Sequence, residues 1–252
     1  MISLHSLHCA LMKAITFEPT IMCDGIELRL NANKEKRYGC FVPILERIDS
    51  CMNTMLTMYC KLYVVQFVFH PEFPADNNAL ISDLMRVVKK QLERKYRSKL
   101  AYGWVRETGK NGKHHYHIVL LLNGNRVQRQ RPIWDCVFKI FSDREQPHPC
   151  FNETAHRVLR SDMASYLAAF YHLSYLAKVS TKGKKPKTTN EYSFSRLKAP
   201  EGTPARRKTT SKASVLLEVS SASSSTIQDL NAPLEGHIDI VSEGINGHEI
   251  RR

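Results

Sequence analysis

No two cysteines in this 252-residue chain stand in a C-x-x-C pair, and the seven present are scattered and odd in number. That argues against a disulfide frame and against a zinc ribbon, and for reduced thiols in a cytoplasmic protein. No uncharged apolar run approaches the length of a bilayer span, so no membrane partner is expected. The N-terminus is mildly apolar, but its first lysine falls only at position 13, after the apolar stretch, which argues against a secretory signal. Internal repeats are lacking too. Acidic residues are in short supply: 24 Asp and Glu face 37 Lys and Arg, a formal net charge of +13. Such an imbalance suits a polyanion, because each cation that neutralises a phosphate releases condensed counterions.

What is present has a clear order. Residues 1–40 carry no decisive pattern and are expected to be a partly ordered lead-in. From Phe41, "FVPILERIDSCMNTMLTMYCK" places apolar residues at three- and four-residue steps, which predicts a helix. "LYVVQFVFH" predicts a buried strand stopped by Pro71, and "NNALISDLMRVVKKQLERKYRSK" a second helix with a solvated basic face. "AYGWVRET" and "HYHIVLLLN" flank the polar turn "GKNGK" as a hairpin. "IWDCVFKIF" predicts a helix and "SDREQPHPCFNET" a loop. "DMASYLAAFYHLSYLAK" predicts a helix from an Asp162 N-cap to Lys178. The expected fold class is α+β, an antiparallel sheet covered by helices. The expected domain spans 41–198, with "EYSFSRLKAP" able to dock on it; residues 199–252 are expected to be a disordered tail.

Two stretches carry chemistry. Strand alternation sets His115, His117, Val119 and Leu121 on one face and His114, Tyr116, Ile118 and Leu120 on the other. Two imidazoles at that spacing can share one divalent ion, and Glu107, across the turn, can add a carboxylate. The plainer alternative makes these histidines half-exposed fillers and Glu107 an edge charge. Further on, Tyr171, Tyr175 and Lys178 recur at helical steps and are expected on one face. A phenol with a pKa near 10 needs help to attack phosphorus; a metal on the phosphate and a nearby lysine would give it. Packing of the tyrosines and a favourable charge at a helix C-terminus are the competing explanations. Trp104, Tyr102 and Tyr116 are expected to pack on a helix in preference to stacking on bases.

Together, "ETGKNGKHHYHIVLLLN" and "YHLSYLAK" resemble the second and third motifs of the HUH superfamily of single-strand DNA nickases, the latter in its two-tyrosine form. "FVFHPEFP" falls where the first motif would lie. The closer resemblance, carried by "SYLAKVSTKG", the strand end "LLLN" and the late "FSR", is to prophage relatives of the filamentous-phage (inovirus) gene-two replication protein, the YagK/YfjJ-type domain, over roughly residues 41–198. The resemblance implies a rolling-circle replication initiator that nicks single-stranded DNA through Tyr175 or Tyr171. A 5′-phosphotyrosine would form and a 3′-OH be left for host replication proteins, with Mg²⁺ or Mn²⁺ on His115 and His117. Lys182, Lys184, Lys185 and Lys187, which follow the tyrosine helix, are then expected to contact the DNA backbone. Two other functions stay open: a non-catalytic DNA-binding prophage protein that keeps the fold, and a small metal-binding structural protein whose basic tail meets RNA.

Overall fold

A computed structural model describes residues 14–31, 38–73, 77–109, 112–180, 182 and 189–199. These lie within one compact unit, Met1–Thr209; a second unit, Thr210–Arg252, lies outside the described residues, as does the expected tail from 200 onward. The six described cysteines are free thiols. No helix among the described residues is long and apolar enough to cross a membrane.

The architecture is mixed α+β. In chain order come β1 (Ile15–Thr16), β2 (Thr20–Cys23), β3 (Ile26–Arg29), β4 (Cys40–Phe41), α1 (Val42–Met58), β5 (Lys61–Phe69), α2 (Ala79–Tyr96), β6 (Ala101–Thr108) and β7 (His114–Asn123). There follow α3 (Arg131–Ser142), β8 (Cys150–Phe151), β9 (His156–Leu159), α4 (Met163–Ser174), a 3-10 turn over Tyr175–Ala177, and β10 (Tyr192–Phe194). Six strands make one antiparallel sheet in the order β10-β6-β7-β5, with β8 and β9 both pairing the far edge of β5.

The period-two pattern of the central strands splits the core in two. On one face Leu62, Val64, Ala101, Val105, Val119 and Leu121 pack with α1 and α4. On the other, Val65, Phe67, Trp104, Tyr116, Ile118 and Leu120 pack with α2 and α3. Both faces are covered, which is why β5 and β7 read as nearly continuous hydrophobic runs. Trp104 and Tyr116 are fully buried, as expected, and meet edge to face at 5.7 Å.

The N-terminal stretch, expected to be partly ordered, contains a hairpin that the sequence pattern did not show. Residues 20–29 form a tight β2–β3 hairpin whose two-residue turn, Asp24-Gly25, has positive φ at both positions (47° and 78°). Leu28 and Leu30 are buried in the same core as α1 and α4. The expected loop at 142–154 contains the short β8, and β9 had no counterpart in the sequence pattern.

Candidate metal centre beside a tyrosine helix

The site forms where the β6–β7 hairpin approaches its turn. Register pairs Glu107 with His115 and Val105 with His117, so the carboxylate crosses to the two histidines that alternation puts on its own face. One carboxylate oxygen of Glu107 and one ring nitrogen each of His115 and His117 lie within 4.8 Å of one another. Glu107 Oε2 is 3.5 Å from His117 Nε2 and 3.8 Å from His115 Nε2. Two donors each about 2.1 Å from a shared ion stand about 3–4 Å apart, so these residues could hold a divalent cation with little movement. His114 is buried on the opposite face, edge-on to Tyr116 at 5.6 Å, and takes no part.

Ligation needs a charged carboxylate and neutral imidazoles, and the electrostatics favour the first at Glu107 and the second at His115. Burial opposes ionisation of Glu107, yet its contact with His117 and the Lys182 ammonium outweigh that and hold the carboxyl well below its usual range. Burial, then His117, lowers His115 to about 4. His70, just past the end of β5, stacks on His115 at 5.1 Å and 22°. The register Phe69↔Tyr116 brings it there, and the sequence pattern did not single it out.

The tyrosine segment comes from the other direction. Asp162 caps α4, its carboxylate accepting the Ala164 N–H at 3.0 Å, as expected. The α-helix does not reach Lys178, however: it stops at Ser174, whose hydroxyl donates to the Tyr171 carbonyl (2.7 Å) and accepts the Asn31 N–H (2.8 Å). Such back-bonding by serine weakens the α-helical ladder, and the chain tightens into the 3-10 turn. Lys178 then forms a β-bridge with Cys40. Its ammonium sits over two rings, 4.1 Å from the centre of Tyr38 and 5.1 Å from that of Tyr175. The Tyr175 ring lies 6.4 Å from His117, its residue 40% exposed. Burial, Glu107 and Tyr38 raise its pKa. Tyr171, equally exposed, has Arg29 over its ring at 6.0 Å.

Lys182 lies inside this arrangement. Its side chain is completely enclosed, and the ammonium donates to Glu107 Oε1 at 3.0 Å and to the Lys178 carbonyl. An exposed phosphate contact is thus not the position it takes here. Lys184, Lys185 and Lys187 lie outside the described residues.

Residues 27–136 match the family model of the YagK/YfjJ C-terminal domain. This is a prophage-type family, and the matched span begins in the β2–β3 hairpin, takes in Glu107, His115 and His117, and stops before α4. No curated protein and no solved structure matches the chain.

Proposed function

We propose that the protein is a metal-dependent DNA nickase and strand transferase of the rolling-circle type, with Tyr175 as the attacking residue. One observation carries this reading: Tyr175, from a different part of the chain, lies with its ring 6.4 Å from His117 of the Glu107–His115–His117 group, and Lys178 on the same segment sits over that ring. The Tyr175 residue is 40% exposed, and its ring lies beside His117 and is not enclosed in the core.

In this reaction the Tyr175 Oη attacks the phosphorus of a single-stranded DNA link. An Oη–P bond forms as the P–O3′ bond breaks; the phenolic proton ends on the departing 3′-oxygen, which leaves as a hydroxyl, and the 5′-phosphate stays on Tyr175. Bond count and charge are conserved, so the ester can later be returned to a 3′-OH by strand transfer. A divalent ion held by Glu107, His115 and His117 would draw charge from the non-bridging oxygens and make phosphorus more electrophilic. A donor set of two nitrogens and one oxygen favours Mn²⁺ over Mg²⁺. Lys178 supplies a positive charge over the Tyr175 ring, 5.1 Å from its centre, where it would favour developing phenolate charge. Tyr171, one turn earlier, is the second tyrosine available for the return step. The excess of basic residues serves the DNA backbone.

The test is incubation with a single-stranded origin oligonucleotide and Mn²⁺, followed by a denaturing gel. A protein–DNA adduct that disappears with chelator and in Tyr175→Phe supports the reading. Specific binding with no adduct under any divalent metal contradicts it and leaves a non-catalytic DNA-binding protein.

A further inference from the structure

We propose that Lys182 is a positioning residue of this centre: it divides the two oxygens of Glu107 and anchors the chain that leaves the tyrosine segment onto the ligand itself. The inference rests on the metal-centre reading above and goes beyond it, because Lys182 touches neither the ion nor the reacting phosphate. Its ammonium takes Oε1 of Glu107 at 3.0 Å, while Oε2 is the oxygen that faces His117 and His115. With Oε1 committed, only Oε2 is left to face the imidazoles, so Glu107 is set to ligate through one oxygen in a fixed rotamer.

The same ammonium donates to the Lys178 carbonyl, and the Lys182 backbone N–H closes a turn onto the Val179 carbonyl at 2.9 Å. Val179 is in turn fixed by the Gly39 carbonyl at 2.9 Å, next to the Cys40–Lys178 bridge. One buried cation therefore couples β6, which carries Glu107, to the residues directly following Tyr175. An ammonium with no solvent exposure is costly to desolvate, and buried pairs of this kind often add little to net stability. What the pair supplies is arrangement. Groups that orient a ligand in this way commonly change metal affinity about 10- to 100-fold when removed.

The experiment uses the full chain, with Mn²⁺ affinity measured by isothermal titration and fold checked by circular dichroism in EDTA. Lys182→Met is expected to weaken Mn²⁺ binding about 10- to 100-fold, and Lys182→Arg to recover most of it. If Lys182→Met fails to fold, Lys182→Gln, which keeps an N–H donor group but no charge, is expected to show an intermediate loss. A folded Met or Gln variant that binds Mn²⁺ within about twofold of the wild type overturns the positioning role and leaves a merely structural ion pair, because the loss expected on removing a ligand-orienting group would be missing. Wild-type protein that binds no Mn²⁺, indistinguishable from His117→Ala, overturns the metal-centre reading instead.

Discussion

At the scale of single residues, the three histidines at the start of β7 do not share one fate, because β side chains alternate. His115 and His117 face Glu107; His114 faces Tyr116 and the second core. This gives an expected outcome that composition alone would not. His115→Ala should weaken Mn²⁺ binding by about 10²-fold or more, since an imidazole ligand is lost, while His114→Ala should leave it within about twofold. Titration calorimetry on the two variants checks it, and equal losses would contradict the facing assigned here. The sequence made this part of the site legible, including the Glu107–His115 pairing, because period-two alternation and a short hairpin leave few registers. Lys182 was not legible in the same way. A lysine within a basic run reads as solvated, and only the fold brings Glu107 to it, 75 residues earlier in the chain.

At the scale of elements, the placement of the tyrosines depends on how α4 is held. The Tyr166 hydroxyl donates to the buried carboxylate of Asp49, which also accepts the Asn53 amide at 2.9 Å, tying α4 to α1. Tyr166→Phe should therefore cost about 1–3 kcal/mol in urea unfolding, and an unchanged midpoint would show that the contact is dispensable. On the sheet, β10 lies over Gly103: a Cβ there would come 2.2 Å from the Phe194 ring. Gly103→Val should displace Phe194 and release β10 from β6, read as faster amide exchange in residues 192–194; unaltered protection would contradict it. Every described helix and the long strands could be read from hydrophobic period. The β2–β3 hairpin was missed although Asp24-Gly25 is a strong two-residue turn signal, because "TIMC" and "IELR" are only four residues each. β9 was missed for a similar reason: "HRVL" has too few apolar residues to show alternation, and its pairing with β5 is made by distant residues. The exit of α4 was misread because Ser174 looks neutral in a helix until Asn31 is brought against it.

At the scale of the whole molecule, two histidine groups are expected to make the fold acid-sensitive. Burial, then its neighbour His172, lowers His156 to about 4, and their ring nitrogens lie 2.6 Å apart; burial lowers His172 as well. His115 is also lowered to about 4. A base whose folded pKa is depressed takes up its proton more readily when unfolded. Stability is therefore expected to be full above an unfolded pKa of about 6.5 and to fall as the pH drops toward 4. Glu107 adds to this below the usual carboxylate range, since its folded carboxyl stays ionised where the unfolded one is protonated. Urea midpoints in EDTA at several pH values between 7 and 4 should fall steadily, with a shallower fall in His156→Gln; a flat profile would contradict the assigned burial effects.

The family match takes in Glu107, His115 and His117, which could hold a metal, but stops before the segment that carries Tyr171 and Tyr175. The most direct measurement is mass spectrometry of the peptide cross-linked to DNA after reaction with a single-stranded origin and Mn²⁺. The expected product is a nucleotide joined through a 5′-phosphate to Tyr175, with Tyr171 as the only other permitted position. A link to any other residue, or hydrolysis without a covalent intermediate, would contradict it.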